Sequence, residues 1–176
     1  YIFIFLVAKN LEKWCDNYFY LILEKLMNKN FLASKSSEIY NQAIQYYKNN
    51  KLKEAEKLFN QILKKLPNHF ETIFFLSQIL IKLKNFTEAK ILCKKAIKYN
   101  PDFAPSHHNL GQVFKELGDN KQAIECYIKA IKLQPNLIAS YNNLGNVYKE
   151  LGDNNKAEKS FLNIIKLQPN SFVAYN

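Results

Sequence analysis

The chain has 176 residues, of which 48% are hydrophobic, and it contains only four glycines and five prolines. Because turn-rich β folds need more Gly and Pro than this, the composition favours an all-α protein. All 25 basic residues are lysines, so the formal net charge of +10 comes without the arginine fork that recognises phosphate and guanine, and we expect no nucleic-acid partner.

The N-terminal segment, residues 1–35, opens with the apolar stretch YIFIFLVAK, which is too short to cross a bilayer. A helical stripe follows, formed by Leu11, Trp14, Cys15, Tyr18, Ile22 and Leu26. The stripe predicts a buried or half-buried helix, and we expect this apolar segment to cap the repeats that follow it. A membrane-associated remnant is the less favoured alternative.

From residue 36 the chain repeats itself with a period of 34 residues. Prolines near the end of each unit form one column: Pro67, Pro101, Pro135 and Pro169. The period defines four units and the start of a fifth: 36–69, 70–103, 104–137, 138–171 and 172–176. Such a period predicts stacked units, because one unit cannot bury its own apolar face. We expect further repeats C-terminal to this chain.

Each unit carries two amphipathic helical patterns. The second helix has a small column at Ala55, Ala89, Ala123 and Ala157, and a larger one, four residues later, at Phe59, Cys93, Tyr127 and Phe161. The first helix also has a small column, at Ala43, Ser77, Gly111 and Gly145. Small residues let helices approach closely, so we predict that each unit is a pair of closely packed helices.

The tetrapeptide LGDN joins the two predicted helices in the third and fourth units. Gly118 and Gly152 fall just past a helix end, where a left-handed conformation caps the helix. The Asp that follows each glycine lies near the next helix start, where negative charge is favourable. Asn49 and Asn50 stand at the same place in the first unit.

These columns of Leu-Gly, Tyr, Ala, aromatic, Ala and Pro resemble the tetratricopeptide repeat, and SYNNLGNVYKELGDNNKAEKSFLNIIKLQP is close to its consensus. The resemblance covers residues 36–171 and is weaker in the first unit, where Gln42 replaces Leu. It implies a right-handed superhelical α-solenoid of antiparallel helix pairs. It also implies a concave wall, formed by the first helix of each pair, in which ligand peptides lie.

Helical spacing turns positions 2, 5, 6, 9, 12 and 13 of each unit away from the second helix and into that groove. Position 6 is an asparagine ladder with one interruption, and each amide offers a donor and an acceptor to a peptide backbone. The predicted peptide-binding residues are Asn41, Phe74, Phe75, Gln78, His108, Asn109, Gln112, Asn142, Asn143 and Asn146. The ladder resembles the repeat arm of protein O-linked N-acetylglucosamine transferases, which grips extended substrate chains.

Tyr40, Phe74 and Phe75 make the N-terminal end of the predicted groove aromatic. Two explanations are open for such apolar side chains on a wall. Either the N-terminal segment folds over them, or they form an exposed patch that a partner occupies. We favour the first explanation.

The sequence shows no catalytic constellation. All four glycines belong to repeat columns, and Cys15, Cys93 and Cys126 lack metal-ligand or disulfide-framework spacing. We therefore expect no catalytic residue, cofactor or metal, and a reducing, cytoplasmic location. The predicted function is a protein-interaction scaffold that binds an extended peptide or helix. The alternative is the substrate-recruiting arm of a larger glycosyl- or sulfotransferase; membrane association is the least favoured.

Overall fold

A computed structural model describes residues 36–168, which form eight α-helices and no strand within that range. In chain order the helices are α1 over 36–48, α2 Leu52–Lys65, α3 Phe70–Lys82, α4 Phe86–Tyr99, α5 Ala104–Glu116, α6 Asn120–Leu133, α7 Ile138–Glu150 and α8 Asn154–Leu167. The expected N-terminal cap and the expected start of a fifth unit lie outside the described residues.

The helices stack in chain order. α3 packs on α4, α5 on α6 and α7 on α8, and each of α2, α4 and α6 packs on the helix that follows it. In addition, α5 contacts both α3 and α7. Each of these helices therefore contacts only near neighbours in sequence, which is the arrangement of an α-solenoid. The predicted all-α repeat fold is confirmed.

The turns inside the helix pairs have the left-handed residue that the sequence predicted. Gly118 and Gly152 have φ angles of +80° and +77°. Asn50 and Lys84 take the same role in the first two pairs, with φ angles of 56° and 60°. For residues other than glycine this conformation costs about 1–2 kcal/mol, and Asn tolerates it better than Lys.

An aspartate begins the second helix after each glycine turn. The Asp119 carboxylate accepts a hydrogen bond from the backbone N–H of Gln122 at 3.1 Å, and Asp153 accepts one from Lys156 at the same distance. These are N-caps, which satisfy a helical N–H that has no partner within its own helix. The predicted place of negative charge near the helix start is thus a specific hydrogen bond.

The small columns allow the close helix approach that their side chains predicted. A Cβ added at Gly111 would lie 2.7 Å from Cε1 of Tyr127, and one at Gly145 would lie 2.7 Å from the Phe161 ring. Ala123 and Tyr127 are fully buried at the centre of this contact. A glycine in the first helix therefore makes room for an aromatic ring of the second helix in the same pair.

The cysteines of the described range belong to the packing. Cys93 is buried and Cys126 is half-buried, and both are free thiols. Burial raises the pKa of Cys93 to about 12 and that of Cys126 to about 11, so both remain protonated and unreactive at neutral pH. Between residues 36 and 168, no helix has the length and apolar character needed to span a membrane.

Candidate functional site

The first helix of each pair contributes to one wall, because α5 touches α3 on one side and α7 on the other. Rings from the second helices reach the same wall from behind. The Tyr127 ring lies 5.7 Å from the ring of His108, and the Phe59 ring lies 5.8 Å from that of Tyr40. Tyr40 and His108, both at position 5 of the repeat, thus pack on an aromatic residue of the second helix.

The N-terminal end of the wall is an aromatic cluster. Phe75 stacks on Phe59 with ring centroids 6.0 Å apart, and its ring also meets those of Tyr40 and Tyr47 edge-on. Phe74 continues the cluster by packing 5.5 Å from Phe75. Beyond it, Phe74 packs edge-on against Phe103, which follows α4. Edge-on and stacked rings at these distances attract one another beyond their simple burial.

This cluster leaves Phe74 and Phe75 half-buried. Both were predicted to bind a peptide, but much of each ring is in contact with other aromatic rings. Gln78 is also partly engaged, since its side-chain oxygen accepts a hydrogen bond from the Tyr47 hydroxyl at 3.3 Å. The aromatic end therefore contributes strongly to the packing between the first two helix pairs.

The C-terminal end of the wall is polar. Nδ1 of His108 lies 3.0 Å from the Ser140 hydroxyl, which links α5 to α7. Burial lowers the pKa of His108, so its imidazole is neutral at pH 7 and offers one donor and one acceptor. Gln112 and Asn143 are half-buried, and Asn142 is exposed.

The three members of the asparagine ladder differ in burial. Asn41 is exposed and Asn143 is half-buried, but Asn109 is only 5% exposed and its Nδ2 atom is buried without a hydrogen-bond partner. Asn109 therefore offers little surface to a ligand in this structure. The physical reason is its place on α5, which is covered from both sides by α3 and α7.

An orphaned hydroxyl marks the border between the two ends of the wall. Ser106 stands at the same repeat position as Ser140, but its hydroxyl is buried with no partner. Ser140 has a partner because His108 lies in the preceding unit, whereas the corresponding residue in the unit before Ser106 is Phe74. A phenyl ring offers no acceptor of comparable strength, so the change from polar to aromatic wall leaves this group unsatisfied.

Ion pairing across the wall was not foreseen from the sequence. Lys115 of α5 donates to the Glu150 carboxylate of α7 at 2.9 Å. The signal was present, because Lys-Glu recurs at the same positions in both units, at 115–116 and 149–150. Such an exposed pair contributes about 0.2–1 kcal/mol and aligns the two helices.

The wall has no net charge. Each of α1, α3, α5 and α7 carries one lysine and one glutamate. No group of three or more His, Cys, Asp and Glu side chains within residues 36–168 is arranged to hold a metal ion. Neutral amides and one neutral imidazole therefore dominate what the polar end can offer a ligand.

The stacked helix pairs define the class of helical-repeat proteins that serve as interaction scaffolds. The family follows from sequence comparison. Family models described as tetratricopeptide or TPR repeat match residues 46–113, 111–152 and 138–171. The chain is a tetratricopeptide-repeat protein, and it is in general terms a protein-interaction scaffold. No curated protein matches its sequence.

Solved structures with the same fold include several repeat proteins. MamA from Desulfovibrio magneticus RS-1 has a TM-score of 0.73 and 23% identity, over 78% of this chain and 77% of that one. A protein of Thermus thermophilus, described as a thermophilic TPR protein, has a TM-score of 0.68 and 22% identity, over 76% and 75%. YrrB, described as a TPR protein with an unusual peptide-binding site, has a TM-score of 0.70 and 20% identity, over 81% and 73%.

Proposed function

We propose that the polar end of the wall binds an extended polypeptide through its main chain. The observation that carries the proposal is the half-burial of two amide side chains, Gln112 and Asn143, on the contacting helices α5 and α7. Each amide supplies a donor and an acceptor, the pair that a peptide unit requires. Half-burial strengthens such hydrogen bonds because the local dielectric is lower than that of water.

The neutral wall supports recognition of main chain over recognition of charged side chains. With one lysine and one glutamate on each first helix, no ligand charge is preferred along its length. We therefore expect binding that tolerates sequence variation in the ligand and changes little with salt. The description of YrrB as having a peptide-binding site supports a peptide ligand for this fold.

Two further predicted residues, Asn142 and Asn146, lie at the C-terminal end of the described helices. Both line a cavity of about 830 Å³ whose apolar lining includes Ile138, Phe161 and Ile165. We propose that a further repeat, starting at residue 172, covers this cavity as α7 covers α6. The two asparagines then contact that repeat as well as a ligand, so they are poorer test positions than Gln112 and Asn143.

The test is a binding screen of the whole chain against an array of short unstructured peptides of varied sequence. Gln112→Ala combined with Asn143→Ala removes two hydrogen-bonding side chains and should weaken binding about tenfold, at about 0.5–1.5 kcal/mol each. The matched control is Asn60→Ala combined with Asn155→Ala, two exposed amides on second helices.

The proposal requires the control to bind as the parent does, at low and at high salt. Equal weakening by both double variants, or binding that is unchanged by the first, would place the peptide elsewhere on the solenoid. A steep loss of binding with salt would show that charged side chains, not amides, hold the ligand.

A further inference from the structure

The charge of the solenoid is segregated between its two kinds of helix. The second helices α2, α4, α6 and α8 hold fourteen lysines and five glutamates, a formal charge of +9. The first helices hold four lysines and four glutamates over nearly the same number of residues. The lysine excess of the described helices therefore lies on the second helices.

Most of these lysines have no acidic partner within the described range. The ion pairs recorded for them are Lys53 with Glu56 at 3.3 Å and Lys156 with Asp153 at 2.7 Å. One lysine recurs in the last turn of every second helix and is exposed in each: Lys64, Lys98, Lys132 and Lys166. The row runs from one helix pair to the next, so it presents repeated positive charge along the solenoid.

The same surface contains an apolar pocket between α6 and α8. It has a volume of about 220 Å³, enough for one large side chain, and its apolar lining includes Ile128, Leu144 and Tyr148. Two lysines stand at its edge, Lys156 and Lys159. The Lys156 ammonium is held 5.3 Å from the centroid of the Tyr148 ring, and Ile128 is 48% exposed.

We infer that this second-helix face, formed by the outward side chains of α2, α4, α6 and α8, is a docking surface for an acidic polypeptide segment. The segment inserts one apolar side chain between α6 and α8. Its flanking carboxylates meet Lys159 and compete with Asp153 for Lys156. Charge complementarity speeds the association of the segment with the surface. Burial of the apolar anchor slows its dissociation. The surface is distinct from the neutral wall, so both can be occupied together.

The pocket favours a polypeptide over the other polyanions. A nucleic acid would be held by phosphate contacts for which Lys is a point charge, and base recognition by guanidinium groups is impossible because the chain has no arginine. A bilayer surface is broad and fluid, so it does not fill a concave pocket that has the size of one side chain. An acidic segment with one large apolar residue fits both the pocket and its lysines.

The experiment uses the whole chain and a fluorescent probe peptide, rich in glutamate, with leucines spaced along one helical face. Lys156→Gln combined with Lys159→Gln should weaken probe binding about tenfold, because each exposed charge pair contributes modestly. Ile128→Ser should weaken it as well, and raised salt should weaken it steeply. The charge-matched control, Lys48→Gln with Lys82→Gln, removes two lysines from first helices and should leave binding unchanged.

Three further probes decide the class of partner. A probe whose leucines are replaced by serine should bind weakly, and so should oligothymidylate and vesicles containing phosphatidylserine. If the control variant weakens binding as much as Lys156→Gln with Lys159→Gln, the attraction is diffuse and the docking site does not exist. Equal binding of the leucine-free probe, or tighter binding of the nucleic acid or the vesicles, would also overturn the inference. The Gln112→Ala, Asn143→Ala variant should bind the probe as the parent does.

Discussion

Replacing Gly111 by alanine changes the stability of the protein through two opposing effects, a gain in helix preference and a steric clash. In the interior of α5, alanine is favoured over glycine by about 1 kcal/mol, because glycine loses more backbone freedom on folding. The new Cβ, however, would lie 2.7 and 2.8 Å from two ring atoms of Tyr127 and 3.2 Å from the backbone oxygen of Ala123. Because Tyr127 is fully buried, its ring has no room to move away.

Overpacking of this kind costs about 1–3 kcal/mol, so we expect Gly111→Ala to lower the free energy of unfolding by about 1 kcal/mol overall. The assay is urea unfolding followed by circular dichroism. The control is the same substitution in a Tyr127→Leu background, where the ring contact is gone. There Gly111→Ala should raise stability by up to about 1 kcal/mol, because only the helix preference remains.

A stabilising effect of Gly111→Ala in the parent chain would refute the reasoning. It would mean that α5 and α6 separate easily, and that the small column is not needed for their approach. A loss of equal size in both backgrounds would refute it as well, because the cost would then not come from Tyr127.

Three other perturbations test separate parts of the structure. Gly118→Ala should cost about 1–2 kcal/mol in thermal or urea unfolding from the left-handed backbone alone, because a Cβ there meets nothing within 4 Å; no loss would contradict the turn geometry. Asp119→Ala should cost about 1 kcal/mol by removing the cap of α6, and Asp119→Asn should restore most of it. Burial lowers the pKa of His108, so the unfolded chain binds its proton more readily. Stability should therefore fall as the pH drops from the unfolded-state value of about 6.5 through the lower folded-state value, and His108→Gln should flatten that part of a pH titration of unfolding; an unchanged profile would contradict the burial of the imidazole.

Much of the fold could be read from the sequence because its causes are local or periodic. The left-handed turn at Gly118 depends on residues next to it in the chain, and so does the cap made by Asp119. The close approach at Gly111 is encoded by one small and one large column that recur every 34 residues. Because the same columns recur in each unit, the same helix packing recurs as well, and one pattern predicts every interface.

The candidate site could be predicted only in part. The sequence predicted Asn142, Asn143 and Gln112 as wall residues, and all three amides are exposed or half-buried. It also placed Asn109 there, but that side chain is 5% exposed. Equal repeat position does not ensure equal exposure, because coverage depends on the helices that pack on either side.

Tertiary structure alone decided three features of the molecule. These are the aromatic cluster of Phe74, Phe75 and Phe103, the ion pair between Lys115 and Glu150, and the pocket beside Ile128. Each of these joins residues from different helix pairs, whose distance depends on how the pairs stack. Sequence determines the helices and their capping through neighbours in the chain, whereas the superhelical stacking determines which side chains meet a ligand and which meet each other.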